Sequence, residues 1–202
     1  MPSKVQICNR ALSTYLGLAR ITSLTEGTPE AEQCQIHYDD TVQSLLESFW
    51  WSFATERQIL AELTNDRTTE WNYKYVRPAT EIDIHWVNNA QAARYLKEAG
   101  ENPDTPREIT ASHIYCDVEL ATCEFTSGVV DVSQFSQSFA DALSAAIAAN
   151  IAMPLTEDLK RAQNAMSQAE DKLGKAMVHD EQQTPPATYG TMPESLKIRG
   201  IT

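Results

Sequence analysis

The residues best suited to nucleophilic, acid–base or metal chemistry are four histidines (His37, His85, His113 and His179) and four cysteines (Cys8, Cys34, Cys116 and Cys123). The histidines are scattered along the chain. The cysteines form no CxxC and lack the spacing of a zinc site. Cys8 and Cys34 fall on apolar helical positions, where a reduced thiol behaves as a small hydrophobe. The pattern therefore predicts reduced, buried cysteines, with a facing Cys116–Cys123 pair as the lesser alternative. The adjacent acids Asp39-Asp40 point to different sides of any helix and read as a solvated face. A P-loop, a GxSxG, an HExxH and a dinucleotide fingerprint are all missing from the sequence. The expectation is a protein that is not an enzyme, with no catalytic, cofactor-binding or metal-binding residues and no cofactor. Two rival readings stay open: a glycan hydrolase whose paired acids are distant in the chain, and a free binding module.

The elements that any site would rest on follow from periodicity. Ser3 and Gln6 make a capping box ahead of Val5, Cys8, Leu12, Tyr15 and Ala19, predicting a helix over 3–17 that Gly17 stops. Thr28 as N-cap, Pro29 at the first helical position and Glu30 and Glu32 in the first turn predict a second helix running to about Trp50. Its apolar face is Ala31, Cys34, Tyr38, Val42, Leu45, Phe49 and Phe53. The aromatic stretch Phe49-Trp50-Trp51-Ser52-Phe53 is where a core should condense, since aromatics bury the most apolar area. Residues 53–63 fit either strand or helix. From Trp71 the pattern turns to period two, through Tyr73 and Tyr75 to Pro78 and again through Ile82, Ile84 and Trp86. A short helix is expected within 90–100, and 112–116 with 120–126 read as a hairpin. Helix then returns, with Ser136 as cap, Phe139, Leu143, Ile147 and Ile151 inside, and Pro154 as the interruption. The next helix carries Leu155, Leu159, Ala162, Met166, Ala169, Leu173 and Ala176 at steps of 4-3-4-3-4-3. That 3.5-residue repeat predicts a face that packs along another helix, in the same chain or in a neighbour.

The expected class is α+β: a helical bundle from 1–65 and 127–181 with an inserted antiparallel β-rich region, 66–126. The expected core is Trp50, Trp51, Phe53, Trp71 and Tyr75. The expected inter-helix packing face is Leu159, Ala162, Met166, Ala169 and Leu173. The last segment, 182–202, is an extended arm: Pro185, Pro186 and Pro193 oppose helix, while Tyr189, Met192, Leu196 and Ile198, with Arg199, offer contacts to a partner.

The net charge of −12 is spread along the chain, with 4 basic against 8 acidic residues in 1–65, 6 against 11 in 66–126 and 6 against 9 in 127–202. Without a basic stripe the chain is ill suited to gripping phosphates. An acidic surface fits a channel wall along which DNA slides without sticking. No run approaches the ~18 consecutive apolar residues of a membrane span, and no apolar signal core follows Met1-Pro2-Ser3-Lys4. The expectation is a product made and assembled in the cytoplasm, with no membrane partner.

Several stretches, read in order, resemble one family. They are Cys8-Asn9-Arg10-Ala11-Leu12 with Ile21-Thr22-Ser23-Leu24, Ala31 to Tyr38, and Leu45-Leu46 leading to Trp51-Ser52-Phe53-Ala54. Next come Trp71-Asn72-Tyr73-Lys74-Tyr75-Val76-Arg77-Pro78, Val129-Val130-Asp131 with Phe135, and Phe139-Ala140-Asp141-Ala142-Leu143 ahead of the Ala-rich helices. The order is similar to that of the tail tubular protein A family of short-tailed bacteriophages, the head-to-tail adaptor (gatekeeper) ring below the portal, over about residues 5–181. Ala79 and Thr80 depart from the family pattern, in which an acid follows the proline directly. The resemblance implies a virion tail protein, a connector whose subunits form a twelve-fold ring (a dodecamer). It would bind the portal protein above and a tail nozzle protein (tail tubular protein B-like) below, with tail fibres sometimes at the rim. It also implies a part in virus assembly and genome ejection through a DNA channel, and an extended chain over 53–63.

Overall fold

A computed structural model describes residues 2–183 of the chain, and over these the class is mixed α+β, with five α-helices and two small antiparallel sheets. Two compact units divide the chain: one holds the residues up to Ala54 together with Gly128–Gln183, the other holds Thr55–Ser127.

In the first unit, α1 (Lys4–Arg10) starts where its capping box places it, with the Ser3 hydroxyl accepting from Gln6 N and the Gln6 side chain accepting from Ser3 N. It continues as a π-helical segment, Ala11–Leu16, closed by Gly17 at φ 66°, a left-handed conformation that glycine adopts without strain. Asn9 ties down the following loop by a two-way exchange with Ile21, donating to its carbonyl at 2.8 Å and accepting from its N–H at 2.7 Å. The Glu26 carboxylate accepts from Thr22 N, Thr22 Oγ1 and Ser23 N, and these bonds, led by that from the Thr22 hydroxyl, draw its pKa down to about 2. The helix α2 (Pro29–Glu47) begins at Thr28, whose hydroxyl accepts from Ala31 N. It ends at Ser48, earlier than the periodicity predicts, so Phe49 to Phe53 lie beyond it.

That early stop sorts the two adjacent tryptophans. Trp51 is fully buried; its Nε1–H donates to the Leu45 carbonyl at 2.7 Å, satisfying the polar handle of the ring. Its ring meets Phe139 edge-on at 4.9 Å and Phe49 at 5.1 Å, and Phe53 meets Phe139 at 4.9 Å and Phe135 at 5.7 Å. Trp50, expected in the core, is 57% exposed: with the helix already ended, the turn directs adjacent side chains to opposite sides. Phe53 is half-buried.

The helix α4 (Gln137–Thr156) starts at Ser136, whose hydroxyl accepts from Phe139 N. Ten of its residues are buried, and it packs against α1, α2 and α5 (Leu159–Gln183). It is the one described helix long and apolar enough to cross a membrane, and 56% of that apolar window is already buried inside the molecule, as in a core helix. Pro154 does not interrupt it. The helix runs on to Thr156 and closes at Glu157 in a left-handed cap; the proline removes one bond, the one its N–H would have made to the Asn150 carbonyl, and only two helical residues follow it. The Asp158 carboxylate then accepts from Lys160 N at 2.9 Å and Arg161 N at 3.2 Å, capping α5. Near the far end of α5, buried Asp180 reaches back to the turn after α2, accepting from Ser52 N and Ser52 Oγ, each at 2.8 Å.

The second unit begins at Thr55, upstream of the expected 66, because 55–63 is extended. Its first sheet orders β1 (Thr55–Ile59), β7 (Ala121–Ser127) and β4 (Glu81–Asn89); its second orders β2 (Glu62–Leu63), β3 (Tyr73–Val76), β6 (His113–Cys116) and β5 (Arg107–Ile109). A short helix, α3 (Ala90–Glu98), follows β4 from an Asn89 cap. The expected 112–126 hairpin does not form: β6 pairs with β3 and β5, whereas β7 pairs with β1 and β4. The chain instead crosses between sheets at Asp117–Leu120, with Leu120 at φ 53°. The buried Tyr75 hydroxyl stabilises this crossing by donating to the Val118 carbonyl at 2.7 Å and accepting from Ala121 N. Both sheets supply one core, in which Tyr75, Ile114 and Cys116 meet Ile84, Val87, Cys123 and Phe125. All four cysteines are free and buried. Trp71, expected in the core, is half-buried on the turn before β3.

Replacing Trp51 by alanine should cost about 3–5 kcal/mol in denaturant unfolding, while Trp50→Ala should change stability by less than ~0.5 kcal/mol. Equal losses at the two positions would contradict this placement of the core.

Candidate functional site

The face predicted from the heptad spacing of α5 lies on open surface for much of its length. Leu159 is 63% exposed and Met166 60%, while Ala162, Ala169 and Leu173 are half-buried. The residues of α5 that are buried are Ala165, Ala176 and Asp180, of which Ala176 lies on the apolar repeat read from the sequence. The reason is steric. A helix as Ala-rich as α4 permits close approach only by small side chains, so alanines take the seam and the larger Leu and Met are turned to its edge.

Met166, Ala169 and Leu173 therefore line a groove with α2 on its other side and α4 nearby. Leu45 of α2 and Ala146 and Ala149 of α4 add apolar surface, and the polar lining comes from Thr41, Ser44 and Asn150. The volume is about 320 Å³. Two charged residues line it, Asp40 and Glu170, both acids. The Asn150 amide donates to Thr41 Oγ1 at 3.0 Å and ties α4 to α2. The apolar spacing of α5 thus identified a real surface, but as the wall of a groove and not as the buried seam of a helix pair.

A second arrangement in the β-rich unit was not foreseen from the sequence. Glu124, at the middle of β7, is 6% exposed and carries its charge inside the unit. Arg57, its cross-strand partner on β1, donates through Nε at 2.5 Å; Lys97 of α3 donates through Nζ at 2.6 Å; His85 Nδ1 stands 3.9 Å away. Burial alone raises the pKa of Glu124, but the surrounding His85, Lys97 and Arg57 outweigh it and hold the carboxyl well below the usual carboxylate range. Arg57 and Lys97 also sit 5.6 and 5.2 Å from the centre of the Trp86 ring, adding cation–π attraction. A register shift between Ile84 and Trp86 makes this possible. It breaks the expected period-two reading, so that Ile84 joins the core between the sheets while Trp86 pairs with Glu124. His85 Nε2 lies 2.8 Å from Thr126 Oγ1.

Chemically, this cluster binds its own carboxylate. A glutamate ionised at every working pH and saturated with cationic donors is a poor general acid or base, so its role is to hold β1, β4, β7 and α3 together. No signal could have found it in advance, because Arg57, His85, Lys97 and Glu124 are far apart in the chain. Among the described residues no group of three or more His, Cys, Asp or Glu is placed to hold a metal ion. The proposed arm contacts Tyr189, Met192, Leu196, Ile198 and Arg199 lie outside the described residues.

Removing the Glu124 charge breaks its bonds to Arg57 and Lys97, whose own charges stay partly in water, so Glu124→Gln should destabilise the protein by about 1–3 kcal/mol at pH 7. Because the folded pKa lies below the unfolded value, the stabilisation is fully present above ~4.5 and is lost as pH falls below it. The stability difference between wild type and Glu124→Gln should therefore shrink from pH 5 towards pH 2 in chemical denaturation, and a constant difference would contradict the assignment. No protein-family model matches the chain, and a comparison with curated proteins finds no match either.

Proposed function

We propose that this protein is a structural component of a virion, a head-to-tail adaptor of a short-tailed bacteriophage that works through its interfaces. The observation that carries the reading is the α5 face at Leu159 and Met166, continued by half-buried Leu173, an apolar repeat with large side chains of which the chain's own helices leave the first two exposed. Scattered exposed apolar residues are ordinary, but a repeat kept in heptad spacing and left open along one helix fits an assembly surface better. The order of motifs that resembles the tail tubular protein A family supports the same reading.

In this reading the helices of the first unit form a bundle that carries the β-rich unit as an insertion. Twelve copies close a ring between the portal protein and the tail nozzle protein, with fibres at the rim, and complete the channel for DNA. The net charge of −12 suits that channel, because acidic walls repel the phosphate backbone and let DNA pass. Segment 182–202, with Tyr189, Met192, Leu196, Ile198 and Arg199, secures the subunit to the portal or to a neighbour. Assembly takes place in the host cytoplasm and the mature location is the neck of the virion.

A chain ending at residue 181 should fold yet fail to complete tails when it replaces the full-length protein in an assembly extract, measured as plaque-forming particles. Undiminished completion by the shortened chain would remove the arm from the account.

A further inference from the structure

The groove between α2 and α5 has a candidate occupant within the chain itself, and the case rests on reach, chemistry and charge. We infer that in the unassembled protein this groove is the docking site of the chain's own C-terminal segment, 189–199. The inference is independent of the adaptor reading, since it concerns the free chain.

Reach comes first. The helix α5 ends at Gln183, and its groove-lining residues Leu173 and Met166 lie about 15 and 25 Å back along its axis at ~1.5 Å per residue. An extended chain covers ~3.3 Å per residue, so Met192 and Leu196 can both return to that level.

Chemistry and charge agree. The groove offers Leu45, Ala146, Ala149, Met166 and Leu173 to apolar side chains, with room for a few of them. The segment brings Tyr189, Met192, Leu196 and Ile198. Both charged groove residues, Asp40 and Glu170, are acids, and no Lys or Arg lines it. Residues 184–202 carry Lys197 and Arg199 against Glu194, a net +1, whereas residues 1–183 hold 14 basic against 27 acidic residues, a net −13. The segment is thus a cationic, apolar-studded peptide at the end of an acidic body. A short tether holds it at an effective concentration in the millimolar range, which favours docking within one chain over capture from another. Docked there, it covers the apolar wall of α5 until a partner displaces it.

The test uses the full-length protein with Leu196→p-benzoylphenylalanine, a photo-reactive side chain, irradiated dilute in an equal mixture of isotopically light and heavy chains. Peptide mapping should place the cross-links on residues 40–45 and 166–173, with light–light and heavy–heavy pairs only. Met166→Lys, at a 60% exposed position, should leave the fold intact by circular dichroism and cut the cross-link yield about tenfold by putting a polar group of the same sign as Lys197 and Arg199 where Leu196 packs. Cross-links scattered over the surface would overturn the inference, and so would mixed light–heavy pairs, which would assign the groove to a second copy. An unchanged yield in the Met166→Lys protein would overturn it as well.

Discussion

The constraint on which the helical unit depends is the apolar character of α4. A helix carrying Phe139, Leu143, Ile147 and Ile151 among a run of alanines buries ten of its twenty residues, so the unit must be built around it. The segments α1, α2 and α5 supply that cover, and Trp51 closes it against Phe139. The small residues along α4 also decide how α5 approaches, and hence which α5 residues are hidden. The groove follows: once alanines take the seam, Met166 and Leu173 are left at its open wall.

Polar interactions then fix positions that the apolar packing alone leaves free. Asp180 joins the end of α5 to the turn at Ser52, next to Trp51, so the last long helix and the aromatic cluster are held in register. In the β-rich unit Glu124 performs the same service across three strands and α3, and Tyr75 does so at the crossing between sheets. Each is a buried polar group whose partners come from distant parts of the chain. Such groups cost stability when left unpaired, so they discriminate strongly against alternative packings.

Local signals in the sequence carried much of the fold. The caps at Ser3, Thr28 and Ser136 started their helices as expected, because a cap depends only on residues three positions apart. The aromatic stretch marked the core, although its helix stops too soon for Trp50 to join it. What could not be read depends on partners far away in the chain. Strands 113–116 and 121–127 are neighbours in sequence and members of different sheets, and only β1, β3, β4 and β5 decide that. The bulge beside His85 reverses the face of Trp86 with no compositional trace. On α5 the repeat included the buried Ala176, but its largest members, Leu159 and Met166, stay exposed, since the seam selects for small size and ends on a charged residue, Asp180. The groove was legible in its α5 wall and invisible in its α2 and α4 walls.

The claim that this molecule works by joining others is tested most directly by electron microscopy of the purified protein mixed with the portal protein of the same phage. The account predicts a collar of twelve copies seated on the portal ring, with free protein remaining monomeric when the portal is omitted. Bare portals beside unassembled protein, together with turnover of cell-wall or capsular glycan by that protein, would contradict it.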